Sequence, residues 1–308
     1  MPNVYEIVTD KIINALENGV IPWRKPWRSG GPKNLISKKP YRGINVLLLG
    51  LGMDLRGFAS PWFATFRQIS QLGGTVKKGE KGTCVVFWKA LDRDDVDETG
   101  DSVESDEKSG KQTPYVLRYY KVFNIDQTEG IPPEKIPQEE ILEFNPVEEA
   151  EKIVRDYEDS PLILFEGNRA SYNRILDLVR MPAKKSFEGV EEYYSTLFHE
   201  LVHSTGHEKR LARLANTKAN FGSEEYSCEE LVAEMGSAFL CSSAGIENSS
   251  VLQNSAAYIA NWLKALKDDR RLLLRASSQA QKAANYILGE IEKEASKSDE
   301  KAVVDAIG

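Results

Sequence analysis

Three histidines lie within nine residues of one another, and they are the only histidines of this 308-residue chain. They are His199, His203 and His207, in the stretch F-H-E-L-V-H-S-T-G-H-E-K-R-L (198–211). Residues four apart share one face of a helix, so His199 and His203 can present two imidazole nitrogens to one metal ion. Glu200 lies beside them, within reach of a water bound to that ion. The H-E-x-x-H spacing therefore predicts a site of the zinc-peptidase kind, in which Glu200 is the catalytic base.

A metal site of this kind needs a third protein ligand. The metzincin arrangement is excluded, because its third histidine would fall at Lys209. His207 follows Gly206, a residue type that often ends helices, and lies more than a helical turn beyond His203. The third ligand is therefore expected on another helix.

The stretch S-C-E-E-L-V-A-E-M-G-S-A-F-L (227–240) offers carboxylates at helical spacing. Glu230 is the predicted ligand, and the neighbouring Glu229 competes for that role. Glu234 follows Glu230 by one helical turn on the same face and is predicted to hydrogen-bond the far nitrogen of a ligating histidine. A capping box between Glu230 and Ser227 is the alternative. Two histidines and a carboxylate favour Zn²⁺ and also accept Mn²⁺ or Co²⁺.

The helix that presents the histidines needs a buried stripe, and the residues around the motif supply one. The apolar positions are Tyr194, Leu197, Phe198, Leu201 and Val202. Small residues at 233 and 236–238 would let the second helix approach the first closely. Upstream, alternation from Ile175 to Val179 predicts a strand that ends at Pro182. An edge strand in this place commonly receives the substrate of a zinc peptidase, and an ordinary sheet strand is the alternative.

The composition indicates a soluble globular protein, with 41% apolar and 28% charged residues. Cys84, Cys228 and Cys241 have no paired spacing, and the first ten residues lack the features of a signal peptide. No stretch approaches the ~20 apolar residues of a membrane span. We therefore expect a cytoplasmic protein that has no structural disulfides and does not associate with membranes.

The charge is distributed unevenly along the chain. Residues 1–91 contain 14 Lys and Arg against 5 Asp and Glu, a balance of +9, so the remaining residues carry −16 of the total of −7. A basic domain of this size is typical of a nucleic-acid-binding protein, although a solvated basic face would give the same balance.

Aromatic and basic residues alternate in the stretch I-P-W-R-K-P-W-R (21–28). This pattern suits single-stranded DNA, because each base offers a face for stacking and each phosphate accepts a cation. Burial of at least one of the two tryptophans in the core is the alternative. Further basic residues follow near two turns, and the second turn is predicted as a glycine-rich hairpin that lacks the G-K-[ST] end of a phosphate-binding loop. The predicted DNA-binding residues are Trp23, Arg24, Lys25, Trp27, Arg28, Lys39, Tyr41, Arg42, Asn45, Lys77, Lys78 and Lys81.

An acidic stretch interrupts the N-terminal part of the chain. Nine acids stand against two bases between Asp92 and Gly110, with almost no apolar residues. We expect residues 92–114 to be a disordered insertion between paired strands at 85–89 and 115–123. The predicted division places a first domain at residues 1–130, a proline-rich linker at 131–146, a second domain at 147–291 and a polar tail at 292–308.

Taken together, the motifs identify a family resemblance over about residues 3–290. The matching stretches are P-W-R-K-P-W, Y-R-G-I-N, V-K-K-G-E-K-G, V-F-N-I-D-Q, D-L-V-R-M-P, H-E-L-V-H-S-T-G-H-E-K-R-L and E-E-L-V-A-E-M-G. With them the chain resembles ArdC-type antirestriction proteins of conjugative plasmids. The acidic insertion matches no motif of that family.

The resemblance implies an α+β protein, in which a mixed α/β domain that binds single-stranded DNA precedes a mostly helical, zincin-like metallopeptidase domain with a small sheet. It also implies metal ligands at His199, His203 and the Glu229/Glu230 pair, with Glu200 as the base. The implied role is to protect incoming plasmid DNA from the restriction enzymes of the recipient.

Three hypotheses follow for the function. The first is a DNA-tethered zinc metalloprotease that engages a host restriction-system protein as its substrate. The second is a non-proteolytic single-stranded DNA-binding protein with a structural metal site. The third is an acidic DNA mimic. The sequence favours the first, because structural zinc sites usually close with four protein ligands and here Glu200 is intact beside the motif.

Overall fold

The computed structural model describes residues 3–23, 31–90, 115–138, 145–214, 224–246 and 256–290. The fold is α+β, as predicted. The helices are α1 (Val4–Glu17), α2 (Ile44–Arg56), α3 (Phe66–Gln71), α4 (Pro146–Asp156), α5 (Val190–Thr205), α6 (Glu224–Ala244), α7 (Ala256–Asp268) and α8 (Leu272–Ile287). The strands are β1 (Lys33–Asn34), β2 (Trp62–Thr65), β3 (Thr75–Val76), β4 (Thr83–Ala90), β5 (Tyr115–Asn124), β6 (Thr128–Glu129), β7 (Leu162–Phe165), β8 (Ser171–Asn173) and β9 (Leu178–Met181). Within these described ranges, no helix is both long and apolar enough to cross a membrane.

The first sheet has the strand order β1-β2-β5-β4. Its long ladder joins β4 and β5 in antiparallel register from Thr83 opposite Val122 to Ala90 opposite Tyr115. The pairing confirms that residues 92–114 join two paired strands, although those residues themselves lie outside the described part. The predicted glycine-rich hairpin around residues 77–81 is wrong, because β3 pairs with β6 and not with β4. The turn therefore connects two different sheets.

The outer edge of β4 is covered by helix α2. The Asn45 side chain donates to the Val86 carbonyl at 2.8 Å and accepts from the Val86 amide at 2.8 Å. An exposed strand edge leaves backbone groups available to other chains, so this two-bond contact both satisfies the edge and fixes α2 beside it.

A second, three-stranded sheet precedes the histidine helix, with the order β7-β9-β8. Residues 174–177 form the turn between β8 and β9, and Ile175 is 91% exposed there. The strand predicted from Ile175 to Pro182 therefore begins only at Leu178. The expectation of an edge strand is also wrong, because β9 pairs with both neighbours and lies in the centre. The edge strand beside α5 is β8.

One continuous core links the two ends of the chain. Helix α1 contacts α7, and α2 contacts α8. Helix α8 in turn packs against α5 and α6, the two helices of the candidate site. The buried core cluster accordingly contains Val8 and Ile12 of α1 together with Leu266 of α7 and Leu273 of α8. The predicted first domain therefore shares its hydrophobic core with the second.

Candidate metal centre

Helix α5 presents the H-E-x-x-H motif. All five residues predicted for its apolar stripe are buried, which confirms the predicted face. The helix ends at Thr205, with Gly206 as its C-cap in a right-handed conformation (φ −73°). The predicted end is therefore correct, but the reason for glycine is steric. A Cβ at Gly206 would lie 2.6 Å from Cγ of Leu214, which folds back over this turn.

Helix α6 lies directly against α5. A Cβ at Gly236 would lie 2.8 Å from Cγ2 of Val202, so the small residue at this position permits the close approach that the sequence predicted. Because α6 begins at Glu224, Ser227 lies within the helix and does not cap it. The alternative that pairs Glu230 with Ser227 in a capping box is therefore excluded.

Three side chains converge between the two helices. The Nε2 atoms of His199 and His203 are 3.1 Å apart. The Glu230 carboxylate lies 3.7 Å from each of them, through Oε2 and Oε1 respectively. All three side chains are about 15% exposed. Ligands at about 2.1 Å from a tetrahedral metal ion lie about 3.4 Å from one another, so this set fits a divalent metal.

The neighbouring carboxylates have different places around this cluster. Glu229 accepts from Nδ1 of His203 at 3.1 Å and therefore faces the outer side of that ring. It is also held by Arg213, a contact for which the sequence offers no signal. Glu234 lies 3.9 Å from Nδ1 of His199, on the side predicted for it but beyond hydrogen-bond distance. Glu230 is thus the carboxylate that faces both Nε2 atoms.

Glu200 is buried beside the cluster. Burial raises the pKa of its carboxyl group, and the nearby Glu230 raises it further, while His203 acts in the opposite direction. A backbone hydrogen bond from Tyr172 also reaches this carboxylate. Because Tyr172 belongs to β8, this contact places the edge strand next to the predicted base.

The two cluster histidines differ in their electrostatics. Burial, followed by the charge of His203, holds the pKa of His199 well below its usual range. Burial acts in the same direction on His203, but the hydrogen bond to Glu229 and the charge of Glu230 outweigh it and raise the pKa to about 9. The third histidine, His207, is buried outside the cluster, where its Nδ1 accepts from the Lys209 amide at 3.2 Å.

The predicted DNA-binding residues fall into three groups. Four of them, Arg24, Lys25, Trp27 and Arg28, lie outside the described residues. Five are exposed, namely Lys39, Arg42, Lys77, Lys78 and Lys81. Among these five, Arg42 pairs with Glu290 at 3.5 Å and Lys77 donates to the Asp126 carbonyl at 2.8 Å. The other three are Trp23, Tyr41 and Asn45.

Those three residues all have contacts within the protein. Trp23 is completely buried against Trp262, so the prediction that it stacks on a base is wrong. The Asn45 amide is already bonded on both sides to the backbone of β4. Tyr41 is partly buried and packs edge-on against Phe63, and burial raises the pKa of its hydroxyl.

Sequence reasoning missed one cationic cluster in the same region. The ammonium groups of Lys33 and Lys38 lie 5.5 Å and 5.4 Å from the centre of the Trp62 ring. The cluster was missed because the two lysines and Trp62 are far apart in sequence and meet only through the parallel pairing of β1 with β2.

Comparison with known proteins identifies the class to which this fold and site belong. Residues 148–279 match the model of a zincin-like metallopeptidase family. Residues 2–123 match the model of the N-terminal domain of the anti-restriction factor ArdC. The chain is therefore an antirestriction-type protein with a zincin-like metallopeptidase domain.

Relatives that match nearly the whole chain define the family more closely. The crystal structures of antirestriction protein ArdC from plasmid R388 are 35% identical in sequence, with TM-scores of 0.73 for the metal-free form and 0.74 for the Mn(II)-bound form. They cover 94% and 95% of this chain, which in turn covers 98% and 100% of theirs. This chain belongs to the ArdC family of antirestriction proteins.

Two further relatives each match 92% of the chain. The protein y4eC of Sinorhizobium fredii is 35% identical over 291 residues, which are 91% of its length. DNA primase TraC of Escherichia coli is 35% identical over 296 residues, which are only 20% of its length. The same sequence unit therefore also occurs as part of a much longer protein.

Proposed function

We propose that this chain binds single-stranded DNA through its N-terminal part and has a metal-dependent peptidase site between α5 and α6. In this proposal it acts in the cytoplasm, where it protects incoming conjugative plasmid DNA from host restriction. The observation on which the peptidase half depends is the convergence of His199, His203 and Glu230, with Glu200 buried beside them. The proposed substrate is a protein of the host restriction system.

The proposed metal is Zn²⁺, with His199, His203 and Glu230 as its ligands. Two imidazoles and one carboxylate are a common catalytic zinc set, and a set of this kind also accepts Mn²⁺ or Co²⁺. The Mn(II) in the related R388 structure supports a divalent ion at this site and favours Mn²⁺ as the first alternative. When bound, such an ion polarises the substrate carbonyl and makes an attacking water more acidic.

Glu200 is the proposed general base. Because its carboxyl pKa is raised by burial, it can both accept a proton from the attacking water and return that proton to the leaving amine. The backbone hydrogen bond from Tyr172 restrains the carboxylate beside β8. This arrangement separates the residue that moves protons from the residues that bind metal.

Edge strand β8 is the proposed docking site for the scissile segment. Within the described residues it pairs only with β9, so the backbone groups of its other edge that Glu200 does not occupy can form hydrogen bonds with an extended peptide. A peptide added there would run beside Tyr172, the residue that contacts Glu200. Recognition would then depend on the substrate backbone more than on any one side chain.

The DNA-binding half is supported by charge and by relatives. The excess of basic residues lies in residues 1–91, and several lysines there are exposed. The Trp62 cluster adds two cations beside an aromatic ring on the same part of the chain. The match to a DNA primase and to antirestriction proteins is consistent with a role at DNA.

The experiment that tests the proposal compares wild type with Glu200→Ala for protection of incoming plasmid DNA in a restricting host. Metal content and single-stranded DNA affinity are measured for both proteins. The proposal expects the variant to bind metal and DNA normally and to lose protection. Equal protection by the variant would leave DNA coating as the function, with a structural metal.

The salt dependence of DNA binding separates coating and tethering from mimicry. Contacts to phosphates release counterions, so affinity should fall steeply as salt rises. A DNA mimic would show no such binding and would instead compete with DNA for a restriction enzyme.

A further inference from the structure

Glu229 and Arg213 form an ion pair with two hydrogen bonds next to the candidate metal site. Nε of Arg213 donates to Oε2 of Glu229 at 2.8 Å, and Nη2 donates to Oε1 at 2.8 Å. Oε1 also accepts from Nδ1 of His203 at 3.1 Å. Both side chains are largely buried, at 9% exposure for Arg213 and 12% for Glu229. The carboxylate is therefore occupied on both oxygens and is unsuited to be a metal ligand.

The same arginine also contacts the end of α5. Its Nη2 donates to the Val202 carbonyl at 2.6 Å, and its Nη1 donates to Oγ1 of Thr205 at 2.5 Å. The Val202 carbonyl belongs to the last turn of the helix, where carbonyls lack backbone partners within the helix, and it also accepts from the Thr205 hydroxyl at 2.6 Å. A cation at this end is also favoured by the helix dipole. Arg213 thus connects the C-terminal end of α5 to Glu229 on α6.

We infer that Arg213 is a positioning residue for the metal centre and acts through Glu229 on His203. A carboxylate that accepts from Nδ1 keeps the proton on that nitrogen, so that Nε2 is the nitrogen directed at the cluster and available to a metal ion. The planar guanidinium holds both carboxylate oxygens, which fixes the plane of Glu229 and with it the orientation of the ring. This inference depends on the metal binding of the proposed function and is independent of peptidase activity.

The other cluster histidine is held differently. Nδ1 of His199 is buried without a hydrogen-bond partner, and the carboxylate nearest to it, Glu234, lies 3.9 Å away. Of the two rings, His203 is therefore the one whose Nδ1 is held by a carboxylate before metal arrives. The pair Glu229 and Arg213 should consequently affect metal affinity more than Glu234 does.

The test measures Mn(II) and Zn(II) affinity of the full-length chain by competition with a chromogenic chelator at one pH. Arg213→Met removes the guanidinium group, and with it the two hydrogen bonds to Glu229 and the positive charge, but keeps a side chain of similar length. We expect the affinity for both metals to fall about 10- to 100-fold. Arg213→Lys keeps the charge at the helix end but loses the two-bond geometry, so an intermediate loss is expected. The matched comparison is Glu234→Gln, for which a smaller loss is expected.

A double-variant cycle separates positioning from general structure. If Arg213 acts through Glu229, then Arg213→Met should cost little further affinity in a Glu229→Ala background. The chain has only three histidines, so the ring nitrogens of His203 can be followed by ¹⁵N NMR in the metal-loaded protein. Wild type should show the proton on Nδ1, and Arg213→Met should show a weakened or exchanging Nδ1 signal.

The possible results have distinct meanings. Unchanged affinity and an unchanged His203 spectrum in a folded Arg213→Met variant would overturn the inference, as would additive losses in the cycle. If that variant does not fold, the same two readouts on Arg213→Lys decide the question, and wild-type affinity there overturns the inference equally. Failure of wild type itself to bind either metal would instead contradict the proposed function.

Discussion

Trp23 packs edge-on against Trp262, with the two ring centroids 5.3 Å apart and the ring planes at 75°. Both rings are completely buried. Trp23 immediately precedes the basic stretch at residues 24–28, and Trp262 lies on α7 in the C-terminal half. Trp23, a residue of the stretch predicted to contact DNA, therefore lies in the core of the zincin-like half.

Replacing Trp23 by alanine should lower the free energy of unfolding by about 3 to 5 kcal/mol, because it leaves a large cavity against Trp262. Urea denaturation measures this change. Trp88→Ala is the matched control, since that ring is 40% exposed on β4 and its removal should cost clearly less. Equal losses for the two variants would show that Trp23 does not anchor the core.

Truncation should damage the metal-binding half for the same reason. A chain that starts at residue 131 lacks α1, Trp23 and α2, so the face of α7 that α1 and Trp23 cover and the face of α8 that α2 covers become exposed. It also loses the ion pair between Glu17 and Lys267. We expect a lower melting temperature or aggregation. An unchanged melting temperature would mean that the predicted boundary at residue 130 separates independent units.

The sequence was sufficient to predict the motif and its helix, because periodicity and the H-E-x-x-H spacing are local properties. It also favoured Glu230 over Glu229 as the third metal ligand, because the spacing of residues along a helix determines which of them share a face. It gave no indication of Arg213, whose contacts depend on how the chain turns after Gly206. For the same reason it misplaced the edge strand, since the order of strands in a sheet is set by packing and not by alternation.

The packing of α6 on α5 provides a sharp test of the site geometry. Gly236→Ala would place a methyl group 2.8 Å from Cγ2 of Val202, so we expect a loss of about 1 to 3 kcal/mol and weaker metal binding as the helices separate. Thermal unfolding and a metal titration measure the two effects. Adding Val202→Ala makes room for the methyl group and should restore part of both. If the second substitution only adds to the loss, steric conflict is not the cause.

Asn45 gives a test that separates structure from DNA contact. Asn45→Ala leaves the amide and carbonyl of Val86 without partners, which should cost about 1 to 3 kcal/mol of stability. Asn45→Asp keeps the oxygen that accepts from the Val86 amide and loses the group that donates to the Val86 carbonyl. The stability that it costs should therefore differ in magnitude from the stability that Asn45→Ala costs. Denaturation and single-stranded DNA affinity are measured together. Reduced DNA affinity at unchanged stability would instead support the original prediction of a DNA contact.

The last prediction concerns pH and the turn between β8 and β9. Arg210 donates to both oxygens of Asp177, at 2.8 Å and 3.0 Å, and is itself only 3% exposed. Burial alone would raise the pKa of the Asp177 carboxyl group, but the hydrogen bonds from Arg210 and then Tyr172 outweigh it, so the net pKa is lowered. A group with a lowered pKa in the folded state stabilises the fold above its unfolded pKa of about 3.9. That contribution is lost as pH falls through the folded value.

Asp177→Asn should therefore cost about 3 to 5 kcal/mol at pH 7, because it leaves a buried arginine unpaired. Asparagine tolerates the left-handed backbone at this position (φ 47°), so the turn itself is preserved. The difference in unfolding free energy between wild type and variant should be constant from pH 7 to about pH 5 and should shrink below pH 4.

Asp156→Asn, in an exposed pair with Arg155, is the control and should change stability by less than about 1 kcal/mol. A difference that does not depend on pH would show that the carboxylate charge is not what holds Arg210. The turn that aligns β8 with Glu200 would then depend on hydrogen bonding alone.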